Sequence, residues 1–509
     1  MRLEITSEPE VGIRLTLPTA WLGNSRPLLA LLGAILLWLF SLRGLDVRQM
    51  NDLGLVSILP LSTYGALFLL TVSFCWIVAQ RATSTPLLLL HVVVLIVMLF
   101  GVTAFLEEEP RFPVTWQHFG FIEYIVRTGT LAKGIDARFS WPGFFVLNAF
   151  LTQIAGPQSV LLWATWAAVC FNLLYLGPLL MIMRTATNDE RLVWLGVWFF
   201  YLTNWIGQDY FAPQAFNYFL YLTIIAMLLP WFKEEKPSLS WLEKVALSPT
   251  WYGRQARRFY LWSIEPALPI PLPSESQSGL IAVIILMFAA IVSSHQLTPF
   301  AVLTGVSLLV LLNRCRLRNL PLLMAIMILA WIAYMTADFL DGHLRGLLSD
   351  IGNLGKSLNK NVTTRVQGSP QHTLIIYLRL MMTLTIWGLA LLGGLRRLRK
   401  GYSDVSFVLL TIAPFTLLGF QSYGGEALLR AYFFNLPFIA FFAAALVYPT
   451  LSQRTSGHLV FITVVISVFL LAGFQFTRYG NERMDFVTHK DVAGFEYLYK
   501  VAQPKSLFI

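Results

Sequence analysis

The sequence predicts an all-α, polytopic membrane protein with about thirteen spanning helices and a long first loop carrying amphipathic surface helices. Three observations carry that expectation. Of 509 residues, 56% are hydrophobic and only 13% charged, with a mean hydropathy of +0.65, which leaves too little polar surface for a soluble globule of this size. The apolar residues gather in runs of about bilayer length, roughly 17–25 residues. The net charge of +10 sits in short Lys and Arg clusters between those runs. The positive-inside rule explains such clusters better than nucleic acid does, so no nucleic-acid partner is expected.

In chain order, residues 1–26 form a mixed polar tail without the compact charged-then-apolar shape of a cleavable signal peptide. Apolar windows follow at 27–43, 55–80, 85–105, 157–183, 192–207, 214–232, 279–294, 298–313, 320–337, 372–394, 405–421, 431–448 and 458–476. Together they make a membrane domain over 27–476. Cys75, Cys170 and Cys315 have no paired or CxxC spacing, so neither a disulfide framework nor a metal site follows from them. No GxxxxGK[ST] or GxGxxG pattern and no evident repeat occurs, which argues against direct use of ATP and against duplicated transporter halves.

Orientation follows from the short basic loops. Arg314/Arg316/Arg318, Arg396/Arg397/Arg399/Lys400 and the insert at 233–278 fall on one side if spans alternate, and that side is expected to be cytoplasmic. The insert carries Trp241, Trp251, Trp262 and an Arg cluster, the pattern of an interfacial helix held by anionic lipid. The segments 106–156, 207–213, 338–371, 422–430 and the tail 477–509 are then extracytoplasmic.

The stretch from Glu107 to Phe145 is too polar and Pro-rich to face lipid, where each unpaired backbone group would cost several kcal/mol. Within it Phe119, Ile122, Ile125 and Val126 recur at helical spacing, while Glu123 and Arg127 share another face, so an amphipathic helix on the membrane surface is expected. Thr128-Gly129 ends it and Trp141-Pro142-Gly143 turns the chain back.

Alternation also brings the unusual polar groups at span ends to the outer face. They are Asp209, His295, Arg379, Glu426 and Arg430, joined by Glu123, His118, Asp136 and Arg138 from the first loop. Each has a plain structural reading: Asp209 as a turn residue, His295 as a loop residue beside Pro299, Arg379 as a snorkelling side chain, Glu426 and Arg430 as a surface pair. Their shared side is the informative feature. Arginine forks suit phosphate oxygens, and a carboxylate near a hydroxyl can take its proton. The expectation is that Asp136 or Glu123 acts as base and Asp209 and Glu426 orient an acceptor or a possible divalent cation. His118, Arg138, His295, Arg379 and Arg430 would then hold phosphate.

Trp116-Gln117-His118-Phe119-Gly120-Phe121-Ile122-Glu123-Tyr124-Ile125-Val126-Arg127-Thr128-Gly129, followed by Asp136-Ala137-Arg138-Phe139-Ser140-Trp141-Pro142-Gly143, resembles the first loop of the GT-C superfamily of membrane glycosyltransferases. The likeness covers the general plan of much of the chain. It implies an inverting glycosyltransferase that takes sugar from a polyprenyl-phosphate donor to a glycan, lipid or protein acceptor at the outer face. The sequence departs from the family in placing this loop after the third window and in having Val114-Thr115-Trp116 where an acidic residue usually precedes the helix. A polymerase or ligase using polyprenyl-diphosphate glycans, a flippase of lipid-linked sugars and a structural assembly subunit are the other readings.

Overall fold

The structure, a computed structural model, describes residues 25–80, 84–132, 136–156, 158–234, 240–263, 273–336, 368–419, 426–450 and 456–503. Expectations for most of the N-terminal tail, for most of the loop 338–371, for parts of the insert 233–278 and for the residues just before Glu426 lie outside the described residues.

Among the described residues the fold is helical, without strands. The helices are α1 (Ser25–Ser41), α2 (Leu61–Val78), α3 (Thr85–Phe100), α4 (Val102–Leu106), α5 (Pro113–Thr128), α6 (Gly143–Ala155), α7 (Gln158–Arg184), α8 (Glu190–Thr203), α9 (Pro213–Trp231) and α10 (Ser240–Ala246). They continue as α11 (Trp251–Ser263), α12 (Ser274–Ser294), α13 (Thr298–Leu311), α14 (Leu320–Met335), α15 (Pro370–Arg399), α16 (Val405–Ile412), α17 (Ala427–Ala445), α18 (Gly457–Tyr479), α19 (Glu482–Asp485) and α20 (His489–Val501). Seven are long and apolar enough to cross a membrane: α2, α7, α9, α12, α15, α17 and the run that begins with α18. Others, such as α1, α3, α13 and α14, are apolar but shorter. The window 55–80 opens with a 3-10 turn at Leu55–Ser57 before α2, and the window 405–421 changes to a 3-10 turn at Ala413–Gly419.

The centre of the bundle is the pair α8 and α17, in which nearly every side chain is buried. An apolar helix that is buried all round needs partners on every side, and α2, α15 and α18 supply them, with Tyr218 and Tyr221 of α9 reaching the α17 backbone. Rings fill much of the interface: Phe74 stacks on Trp198 with centroids 3.9 Å apart, and Tyr218 on Phe433 at 3.7 Å. Pro437 sits inside α17 and has no N–H, so the carbonyl four residues earlier, that of Phe433, loses its helical donor. The Tyr218 hydroxyl donates to that carbonyl at 3.0 Å. A neighbouring helix thus satisfies the carbonyl that Pro437 leaves without a donor, as polar backbone in an apolar interior requires.

Two sets of turns close the bundle. At one end, Arg397 grips Asp404 with Nε and Nη2 at 2.6 and 2.7 Å and donates to the carbonyls of Pro449 and Ala186. The same end holds the bond from Arg316 N–H to the Phe232 carbonyl and that from Trp262 Nε1 to the Tyr402 carbonyl, which docks α11. Arg254, Arg257 and Arg258 of α11 remain exposed there. The opposite end gathers α5, the turn between α8 and α9, the turn between α12 and α13, the start of α17 and the end of α18.

The helix expected over the first loop forms as α5, but its apolar face does not lie open. Ile122 is buried, and Phe119, Ile125 and Val126 pack with it against Phe144, Phe145 and Ala149 of α6 and Phe211. Helix α6 follows too closely for α5 to keep that face for lipid.

Close helix packing yields a test. A Cβ on Gly393 of α15 would collide with the Phe442 carbonyl oxygen of α17, whereas one on Gly394 would meet only the Phe442 ring at 3.6 Å. Alanine normally favours a helix over glycine by about 1 kcal/mol. Thermal unfolding in detergent is expected to show Gly394→Ala neutral or stabilising and Gly393→Ala destabilising by roughly 1–3 kcal/mol.

Candidate functional site

A cavity of about 190 Å³ opens at the end of the bundle where α5 sits. Five pieces of chain build it. Helix α5 supplies Val114 and His118; a 3-10 turn, Ala137–Ser140, supplies Arg138; Trp141 and Phe145 follow at the head of α6. The α8–α9 connection supplies Gln208 and Tyr210, and the first turn of α9 supplies Gln214. The α12–α13 turn brings Ser294, His295 and Gln296, and α17 brings Arg430.

Local sequence explains each placement. Gly207 adopts a φ of 72°, which glycine accepts without strain, and so turns the chain between α8 and α9. Gly143 fits against Ser293 and Ser294, where any Cβ would collide, so the α6 head abuts the end of α12. Asp136 caps the 3-10 turn through Arg138 N–H at 2.8 Å and holds the Arg138 guanidinium at 3.0 and 3.2 Å, while Arg138 Nη1 donates to Gln117 at 2.8 Å. Arg430 donates to Gln208 Oε1 at 2.5 Å and to Glu426 Oε2 at 2.7 Å.

The two histidines are fixed as opposite tautomers. His295 Nδ1 accepts from the N–H groups of Leu297 and Thr298 at 3.2 and 3.1 Å, at the start of α13. Backbone N–H groups can only donate, so Nδ1 is bare and Nε2 carries the proton. His118 Nδ1 lies 2.9 Å from the Phe211 carbonyl, which can only accept, so there Nδ1 carries the proton and Nε2 is bare. Burial pushes His118 down to about 4, and burial with the Arg430 charge pushes His295 down to about 3; both rings are neutral at pH 7. Gln214 is 3% exposed, and neither atom of its amide has a hydrogen-bond partner among the described residues.

Of the residues singled out from sequence, His118, Arg138, His295 and Arg430 line this one cavity, with Asp136 and Glu426 behind the two arginines. Asp209 lies elsewhere: fully buried, it accepts from Arg478 Nη2 at 2.9 Å and Asn172 Nδ2 at 2.6 Å. Glu123 is exposed on α5; five residues beyond His118, it points about 140° away around the helix. Arg379 donates to the Thr477 carbonyl at 2.8 Å rather than reaching the cavity. Among the described residues, no His, Cys, Asp or Glu side chains stand in threes that would hold a metal ion, so they do not form a ligand set for the divalent cation considered above.

Sequence reasoning does not single out Gln208 and Gln214, nor Arg478, Arg111 and Glu482, and it reads Glu107 as part of a solvated span end, whereas its carboxyl oxygens are buried. Arg478 had a signal, an ionisable residue in the last turn of an apolar run. Arg111 pairs with buried Glu482 and lies 3.6 Å from Asp485, while Phe112, at a φ of 70° rare for a bulky residue, donates its N–H to the Asp485 carbonyl. The carboxyl oxygens of Glu107 are buried beside them, against the Glu482 carboxyl. Burial, then the Glu482 charge, holds its pKa well above the ordinary 4.5. Burial raises Glu482 and Asp485 as well.

Comparison with protein-family models, curated proteins and solved structures finds no match.

Two stability tests follow. Asp209→Asn leaves the Arg478 guanidinium buried without a counter-charge and is expected to cost about 3–5 kcal/mol in unfolding experiments, with much of it recovered by adding Arg478→Met. A carboxyl whose folded pKa is raised favours the fold in its protonated form; that advantage is full below 4.5 and is lost as pH rises through the folded value. Unfolding midpoints followed from roughly pH 5 to 8 are expected to fall for the wild type and to fall less for Glu107→Gln.

Proposed function

We propose that this chain is an integral membrane glycosyltransferase of the GT-C kind, with about thirteen spans and a cytoplasmic N-terminus. It transfers a sugar from a polyprenyl-phosphate donor to an acceptor at the extracytoplasmic face, with inversion at the anomeric carbon. The observation that carries this reading is the cavity in which Arg138 and Arg430 meet neutral histidines and the rings of Trp141, Phe145 and Tyr210 at one end of an apolar bundle. Two guanidinium groups supply planar donor forks for phosphate oxygens and stay charged at any working pH. Aromatic walls suit the flat face of a sugar or the start of a polyprenyl chain.

Sidedness fits the same reading. The exposed arginines of α11 and the basic turns at 314–318 and 396–400 lie at the end away from the cavity, and the positive-inside rule assigns that end to the cytoplasm. The cavity is smaller than the roughly 300–1,000 Å³ of drug-sized pockets, which favours a single sugar phosphate over a long glycan as its occupant. Asp136 and Glu426 serve by holding Arg138 and Arg430 in place.

The test is binding of polyprenyl phosphate by the full chain in nanodiscs, with transfer of labelled sugar from polyprenyl-phosphate hexoses. Arg430→Gln is expected to weaken binding by about 10-fold or more, the share of a hydrogen bond to a charged group. Arg254→Gln, at the other end, is expected to leave binding unchanged. Equal affinity in wild type and Arg430→Gln would remove the cavity from this role.

A further inference from the structure

The two carboxylates that sequence reasoning offers as bases, Asp136 and Glu123, and Asp209, expected to orient the acceptor, are all withheld from the cavity. Asp136 is gripped by the guanidinium of Arg138, Asp209 is buried against Arg478 and Asn172, and Glu123 faces away from His118. What the cavity wall does present is one bare imidazole nitrogen, His118 Nε2, and one imidazole N–H, that of His295.

We propose that His118 Nε2 is the proton acceptor for the incoming hydroxyl and that His295 Nε2–H, with the Gln214 amide, donates to the phosphate that departs. This inference deepens the glycosyltransferase reading and rests on it. In the step, a lone pair of the acceptor hydroxyl oxygen forms the new bond to the anomeric carbon while its O–H bond breaks and the proton passes to His118 Nε2. The bond from the anomeric carbon to the phosphate oxygen breaks with its electron pair, which stays on that oxygen. Arg138, Arg430 and the His295 N–H surround the added charge, and polyprenyl phosphate leaves. No oxidant or further reactant enters. His118 then returns its proton to water.

Each part has a structural reason. The Phe211 carbonyl fixes the proton on His118 Nδ1 and would stabilise the imidazolium formed when Nε2 takes a second one. Asp136 lies close enough to favour that charge, while Arg138 opposes it. Tyr210, stacked on His118 at an interplanar angle of 8°, and Phe145 hold the ring plane. The α13 start keeps His295 Nδ1 occupied, so that ring offers only a donor. Gln214 is almost wholly buried at the cavity wall and its amide has no hydrogen-bond partner among the described residues, which marks a place for a polar group of a ligand.

The experiment uses the full chain in nanodiscs, with polyprenyl phosphate as the binding probe and a radiolabelled polyprenyl-phosphate hexose as donor. His118→Asn keeps an N–H for the Phe211 carbonyl and deletes only the Nε2 acceptor. Expected are an unchanged melting temperature, polyprenyl-phosphate affinity within about twofold, an almost unchanged KM for the donor and a turnover lower by roughly 10²–10⁴-fold. Turnover within about threefold of wild type would overturn the assignment of His118 while leaving the donor site standing. Failure of the wild type to bind polyprenyl phosphate would instead bring down the glycosyltransferase reading and this inference with it. Diethyl pyrocarbonate, which attacks unprotonated imidazole nitrogen, gives a check without any variant. Peptide mass spectrometry is expected to find His118 modified before His295, with His118 shielded by polyprenyl phosphate; the reverse order would contradict the tautomers on which the proposal stands.

Discussion

A guanidinium in an apolar bundle has to meet an anion, and the contact between Arg478 and Asp209 is where that demand shapes this molecule. The two residues stand 269 positions apart, both with under 2% of the side chain exposed. Arg478 ends α18 and lies over the Phe100 ring at 4.7 Å, while Asp209 hangs from the short connection between α8 and α9. Desolvation makes the isolated charges prohibitive, so the pair ties the last long helix to the central one. Asn172 of α7 completes the arrangement through Asp209 and through Asn204. With that connection anchored, Gln208, Tyr210 and Gln214 on either side of Asp209 are held at the cavity wall.

The cavity is therefore assembled by parts that have no local reason to meet. Gly143 lets α6 press on the end of α12, Pro299 and the His295 ring start α13, and Asp136 and Glu426 each hold an arginine from behind. A second buried cluster, Arg111 with Glu482, Asp485 and Glu107, closes α5 onto the segment after α18. The rigidity of the site comes from these supports, and its chemistry from the side chains they aim inward.

Much of the fold was legible because bilayer length and helical period are local properties. Each apolar window holds a helix, and α5 begins at a proline and stops at Gly129, in the left-handed conformation, as its residues imply. What covers a helix is not local. The apolar face of α5 reads the same whether lipid or α6 lies on it, and only the fold reveals Phe144 and Phe145 there. The cavity lining was legible in part: of the nine side chains that alternation is expected to bring to one face, His118, Arg138, His295 and Arg430 line the cavity, and nothing local separates them from Asp209, Glu123 and Arg379. Sequence does not show which polar groups are spent on each other, because Asp209 looks like any turn residue until Arg478 is seen beside it. Nor does it reveal tautomers, which depend on the Phe211 carbonyl for one ring and the N–H groups of Leu297 and Thr298 for the other.

The central claim is that a polyprenyl phosphate rests with its phosphate in the cavity between α5, the α8–α9 connection and the head of α17. A photoreactive polyprenyl phosphate, with the crosslinking group next to the phosphate, tests it most directly on the full chain in nanodiscs. The account predicts crosslinked peptides from 112–145, 208–214, 294–298 and 426–432, and competition by unlabelled polyprenyl phosphate. Crosslinks confined to the basic end, at 312–318 or 396–404, would contradict it.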